Sequence, residues 1–129
     1  MFTLEEIKSH HSKVKTGVDF PAYIQAIKKI GVISYETFVS DLHTNYYGAH
    51  EFKISKEAAG EIMVVSNETH PDKFKSELKL HQHGKTDFTS FRKTCCETGI
   101  EKWIMDLQKM TCTYFDKKGN VILEESVPE

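Results

Sequence analysis

Shifted by 68 residues, the chain meets itself. Asp19-Phe20 falls on Asp87-Phe88, Gly31 on Gly99 and Tyr46 on Tyr114, with no gap from residue 19 to residue 47. Between these, Val32 meets Ile100, Tyr35 meets Trp103, Val39 meets Leu107, Leu42 meets Met110 and Tyr47 meets Phe115. Helix caps, helix stops and aromatic anchors coincide. Two explanations stand side by side: punctuation that any two units of this element order share, or an internal duplication. Under duplication each half, residues 1–66 and 67–129, is a unit of about 60 residues with an apolar face it cannot cover alone. The two would then pack on each other as a single domain, 1–129, and loss of one would unfold the other.

The local signals spell out each half. Thr3 with Glu6 three residues later has capping-box spacing, and Phe2 can pack on Ile7, which predicts a helix over residues 3–15 ended by Thr16-Gly17. Asp19 caps a second helix with Pro21 in its first turn. On it Phe20, Tyr23, Ile24, Ile27 and Ile30 form an apolar stripe, and Gly31 is its stop. Strands are expected at 32–40, 43–47 and 51–55, with 61–66 a fourth strand or a bridge. Pro71 and Thr86-Asp87 open two further helices, which end near Gly84 and Gly99. Three strands follow at 100–107, 110–116 and 120–127. The expected class is α+β: two ααβββ halves, with antiparallel hairpins in one sheet or two and helices packed on one side. Alternation turns Tyr35, Thr37, Val39, Trp103, Met105 and Leu107 inward, and Glu36, Phe38, Ile104 and Asp106 outward.

Composition excludes several function classes. The chain has 17 Lys and Arg against 19 Asp and Glu, a net charge of −2. Arg92 is the only arginine, whereas bidentate recognition of phosphate and guanine edges usually uses arginine, so a nucleic-acid partner is not expected. The longest apolar run, Ile62 to Val65, is too short to span a bilayer, so no membrane insertion is expected. No leader of basic then apolar residues precedes the first helix. The three cysteines lack CxxC spacing, which points to free thiols in a reducing compartment, the cytoplasm. No GxGxxG, P-loop, HExxH or GxSxG occurs, and no cofactor is expected.

Several stretches together carry a family resemblance. Residues 17–25 (GVDFPAYIQ), Gly31-Val32 leading into Tyr35-Glu36-Thr37 and Ser40-Asp41, Gly84 to Phe88, Gly99 to Trp103, and Met110 to Tyr114 agree in order and spacing. From Phe2 to Pro128 the chain resembles the YbcV-like family of small bacterial and prophage proteins, often labelled "phage envelope protein". That resemblance implies a functionally uncharacterised protein and supplies no catalytic residues. Where the family tends to carry glycine before the histidine of the first hairpin, this chain has Leu42, which leaves the turn type open.

Candidate sites follow from where the halves disagree. The first hairpin holds Tyr35, Glu36, Asp41, His43 and Tyr46, and its counterpart holds Trp103, Ile104, Lys109, Thr111 and Tyr114. His43 can act as a base near neutral pH with Asp41 or Glu36 orienting it, although ordinary turn acids on a solvated hairpin would look the same. Cys112 is the thiol candidate for nucleophilic chemistry, set against the commoner packing role of buried cysteine. Tyr35, Tyr46, Trp103 and Asp106 are the ligand-binding candidates. His10, His11, His81 and His83 would make a metal site only if the first helices of the two halves converged. The favoured function is a small binding or interaction module without catalysis, prophage-related by resemblance, with a small molecule or a protein as partner. The alternative is a small enzyme built on the His/carboxylate or cysteine site. A homodimer through an exposed strand edge is a further expectation.

Overall fold

The computed structural model describes residues 2–15, 17–58 and 61–127. In chain order these form α1 (Leu4–His11), a 3-10 turn (Gly17–Asp19), α2 (Phe20–Lys29), β1 (Ser34–Phe38), β2 (Thr44–Tyr47) and β3 (Lys53–Lys56). The order then repeats with α3 (Pro71–Gln82), α4 (Phe88–Glu97), β4 (Lys102–Asp106), β5 (Thr111–Phe115) and β6 (Val121–Ser126). The fold class is the one expected, α+β with the element order helix, helix, three strands met twice.

All six strands belong to one antiparallel sheet in the order β3-β2-β1-β4-β5-β6. Each half contributes a meander, and the two meanders join along β1 and β4. In that seam Glu36 lies opposite Ile104, and 104 − 36 = 68, the offset read from the sequence. Ser34↔Asp106 and Phe38↔Lys102 flank this pair symmetrically. A pseudo-twofold axis therefore passes through the sheet at Glu36–Ile104, because only at its centre can an antiparallel pair set equivalent residues opposite each other.

The helices cover one face of this sheet. Tyr35, Thr37, Thr44, Tyr46, Met105, Cys112 and Tyr114 are buried beneath them, while their strand neighbours on the other face are half-buried. Ile7, Ile24, Ile27, Phe74, Ile100, Met105 and Leu107 are completely enclosed in the core. At about 25 cal/mol per Å² of apolar surface removed from water, this core supplies the main drive for folding.

Local chemistry mostly acts as the sequence suggests. The Thr3 side chain accepts from the Glu6 backbone N–H while Glu6 accepts from the Thr3 N–H, completing the capping box. Phe2 is buried and meets Phe52 edge-on at 4.9 Å, which ties the entry of α1 to the turn between β2 and β3. Asp87 caps α4 by accepting from Ser90 N–H at 2.8 Å. Asp19 does not cap α2: its carboxylate accepts instead from Lys15 N–H at 2.9 Å. The first helix is shorter than its expected span and stops at His11. Thr16, expected at its end, lies outside the described residues. Residues 61–66 do not join the sheet: they bridge the halves, with Met63 N–H on Ser40 O and Ser66 N–H on Cys96 O.

Two features of the halves correspond although their residues differ. Leu42 and Met110 both adopt left-handed backbone, φ 62 and 55, at positions 68 apart. So the first hairpin keeps the conformation that glycine would adopt freely, with a leucine side chain in its place. Arg92 stands where the other half has Ile24. It is buried, with Nε donating to Val39 O and Nη2 to Ser40 O and Glu61 O at 2.7–2.9 Å. The single arginine thus ties α4 of the second half to the end of β1 and the bridge.

Gly31 and Gly99 both follow a helix end at positive φ, but a Cβ on Gly31 would meet Phe2 at a comfortable 3.8 Å. On Gly99 it would lie 2.5 Å from the Glu68 carbonyl oxygen, a backbone atom. Gly31→Ala is therefore expected to cost about 1–2 kcal/mol from left-handed strain alone. Gly99→Ala should cost more than ~3 kcal/mol, since the bridge must move as well. Urea denaturation of both variants measures the difference.

Candidate functional site

A cavity of about 430 Å³ lies between the helices and the inner face of the sheet. That volume falls within the range of small-molecule sites. Its walls carry the pseudo-symmetry of the fold. Phe20 and Phe88, Tyr23 and Phe91, Tyr35 and Trp103, Thr44 and Cys112, and Tyr46 and Tyr114 all line it, and each pair is 68 residues apart. Aromatic rings from both halves thus converge over the Glu36–Ile104 axis. Phe91 and Trp103 lie 6.1 Å apart, Trp103 and Tyr114 6.2 Å, and Tyr35 and Tyr46 5.5 Å.

The two sides of the cavity differ in chemistry. On the first-half side, the Tyr23 and Tyr46 hydroxyls share a hydrogen bond, Tyr46 is also bonded to Thr44, and Thr44 meets Thr37 at 3.0 Å. The result is a row of four hydroxyls. The equivalent positions of the second half are Phe91, Tyr114, Cys112 and Met105, a largely apolar row. Burial pushes the Tyr23, Tyr35, Tyr46 and Tyr114 phenols upward, so all four stay neutral and can donate. Lys15, Lys56 and His11 lie around the first-half end, and Gln82, Thr86 and Asp87 around the other.

Of the ligand-binding candidates, Tyr35, Tyr46 and Trp103 line this cavity. Asp106 does not: it lies on the outer face, and its Oδ1 accepts the backbone N–H groups of Gln108 and Lys109 in the following turn. Cys112 faces the cavity, but burial pushes its thiol up to about 12, which keeps it protonated and a poor nucleophile near neutral pH. Cys95, in the packed stripe of α4, is raised by burial as well.

The hairpin candidates sit elsewhere. His43 Nδ1 lies 2.6 Å from Asp41 Oδ1, and the imidazole stacks on Phe38 at 4.3 Å. The same Asp41 oxygen accepts the His43 backbone N–H, which, with the imidazole, holds the carboxyl below its ordinary range. Glu36 is not part of that pair. It accepts from Asn45 and Tyr47 at 3.0 Å each and faces Lys102 at 3.5 Å, and these contacts together lower its pKa against the opposing effect of burial. Glu36 and Asp106 form no carboxylate pair, because Lys102 and the 106–109 turn engage them separately.

The histidines proposed for metal do not come together. His11 meets Tyr23 edge-on at 5.3 Å, and His81 stacks on Phe91 at 4.4 Å on the other side of the cavity. His10 is half-buried on α1 and His83 is exposed at the end of α3. Among the described residues no three histidine, cysteine, aspartate or glutamate side chains are grouped to hold a metal ion.

Sequence reasoning missed Phe20, Tyr23, Phe88, Phe91 and Tyr114 as site residues. Each lies on a helical stripe or an inward strand position, where packing is the ordinary role of an aromatic ring. The available signal was that all five belong to pairs matched at the 68-residue offset.

Among known proteins, a family model described as "Protein of unknown function (DUF1398)" matches residues 8–126. No curated protein matches the chain.

The packing of His81 sets a pH dependence. Burial against Phe91 lowers its pKa, outweighing the Thr86 carbonyl and Asp87, which act to raise it. The unfolded chain, with histidine near 6.5, therefore takes up protons before the folded state does. Stability is expected to be full above that value and to decline as pH falls below about 6.5. Urea melts between pH 7.5 and 5.5 should show this decline, and His81→Gln should reduce it to the share of His11, whose pKa burial also lowers.

Proposed function

Since the chain belongs to the DUF1398 family, whose description assigns no activity, we propose from the site itself that it is a binding module for a small, flat, mainly apolar molecule held between its two halves. One observation carries this reading: the 430 Å³ cavity on the pseudo-twofold axis, walled by aromatic rings from both halves. Rings on opposing walls suit a planar ligand, and a few neutral hydroxyls among them suit orientation more than chemistry. The pseudo-twofold relation of the two ααβββ halves supports the same reading, because the cavity is walled by residues at matching positions of both. The three free thiols fit a reducing, cytoplasmic setting for the module.

Trp103, the single tryptophan, lines the cavity and reports on its occupancy. Titration with a panel of planar bicyclic aromatics should shift its emission saturably, with Kd in the range of roughly 1 µM to 1 mM. Filling the cavity by Cys112→Phe or Thr86→Phe should abolish the shift while the far-ultraviolet dichroism stays native. A linear response, or one that survives both variants, overturns the reading.

A second reading rests on the 2.6 Å contact between Asp41 and His43. A carboxylate on Nδ1 fixes the imidazole tautomer and leaves Nε2 to act as a base, as hydrolytic sites require. Activated-ester hydrolysis above the buffer rate, lost in both His43→Ala and Asp41→Asn, is the outcome this reading expects. Equal rates for the wild-type chain and His43→Ala leave the hairpin with a structural role.

A further inference from the structure

Corresponding sheet positions near the two ends of the cavity carry opposite charge. In the first half Lys56 lies directly across from Thr44, and in the second Glu125 lies directly across from Cys112. Thr44 and Cys112 are themselves 68 residues apart, so Lys56 and Glu125 occupy corresponding places in the sheet. Glu125 accepts from Gln82 Nε2 at 3.0 Å and lies outside the cavity lining. Asp87, which lines the cavity at that end, caps α4 and keeps its negative charge. Among the described residues no carboxylate lies within ion-pair distance of the Lys56 or Lys15 ammonium group. Lysines thus outnumber carboxylates two to one in the cavity lining, Lys15 and Lys56 against Asp87, and both lysines sit at the end where the hydroxyl row runs. The other end offers ring faces from Phe88, Phe91 and Trp103.

We propose that the ligand is an aromatic carboxylate, with its ring against Phe88, Phe91 and Trp103 and its anionic group towards Lys56, Lys15 and the Tyr23–Tyr46 hydroxyls. This rests on the cavity being a binding site and adds the class and orientation of its occupant. A carboxylate is planar with the ring it substitutes, so it enters the same flat space. It can accept from neutral phenols, which stay protonated here, and it gains most from lysines whose charge no protein carboxylate offsets. A cationic ligand would face the same lysines unfavourably, and a neutral one would leave them without a counter-charge.

Calorimetric titration of the full chain at pH 7.5 with naphthalene-2-carboxylate, naphthalene-2-carboxamide and naphthalen-2-ylmethylamine separates these cases. The carboxylate should bind about tenfold or more tighter than the amide, equivalent to one factor of ten in Kd, and the amine weakest of all. Lys56→Gln should bring carboxylate and amide to within about threefold of each other by weakening the carboxylate alone. Phe88→Ala should weaken both together, since the ring seat is common to them. Amide binding as tight as carboxylate, or a preference untouched by Lys56→Gln, overturns the assignment of an anion while leaving the cavity as a site. Failure of all three probes to bind overturns the anion assignment and the small-molecule reading together.

Discussion

The antiparallel pairing of β1 with β4 is the contact on which the remaining architecture depends. Each half ends its helical pair with a three-stranded meander, and a three-stranded sheet alone leaves two open edges. Joining β1 to β4 removes one edge from each half and sets Glu36 opposite Ile104. Every larger relationship follows from that register: the order of the six strands, the placement of the four helices over one face, and the meeting of equivalent side chains from both halves at the centre of the inner surface. A slip of one residue in this pairing would set Tyr35 and Trp103 on opposite faces and dismantle the cavity wall.

The seam is reinforced by contacts that do not respect the pseudo-symmetry. Arg92 reaches from α4 to three carbonyls of the first half and the bridge, where the symmetric position, Ile24, is a fully buried aliphatic. A buried guanidinium is tolerated because its donors meet carbonyl acceptors with good geometry. Residues 61–66 are strapped to both halves through Ser40 and Cys96, and Gly99 accepts the close approach of the bridge at Glu68. These one-sided contacts turn two similar units into a single asymmetric object.

Asymmetry inside the cavity has the same origin. Exchange of Tyr23, Tyr46, Thr44 and Thr37 for Phe91, Tyr114, Cys112 and Met105 keeps both rings, adds bulk at Met105 and removes three of four hydroxyls. Packing survives such exchanges because the rings and their spacing are kept. Polarity does not survive them, and a symmetric pocket becomes one with a hydroxyl side and a ring side. On the outer face Asp41 pairs with His43 and Glu36 with Lys102.

The sequence by itself determined the periodic and local features. Thr3 with Glu6, Asp87, Gly31 and Gly99 mark helix ends because capping and left-handed backbone depend on a few neighbouring residues. The alternation around Tyr35 and Trp103 marks the buried face because strand geometry repeats every two residues. The 68-residue offset even contained the register of the central seam. Only the tertiary structure decided that Asp19 accepts from Lys15 instead of capping α2, that residues 61–66 bridge instead of pairing, and that Asp106 serves a turn while Tyr23, Phe88 and Phe91 surround a cavity. A buried aromatic looks the same in sequence whether a neighbour fills the space beside it or not. That space is set by how two curved layers meet, a property of many distant residues at once and of no local pattern.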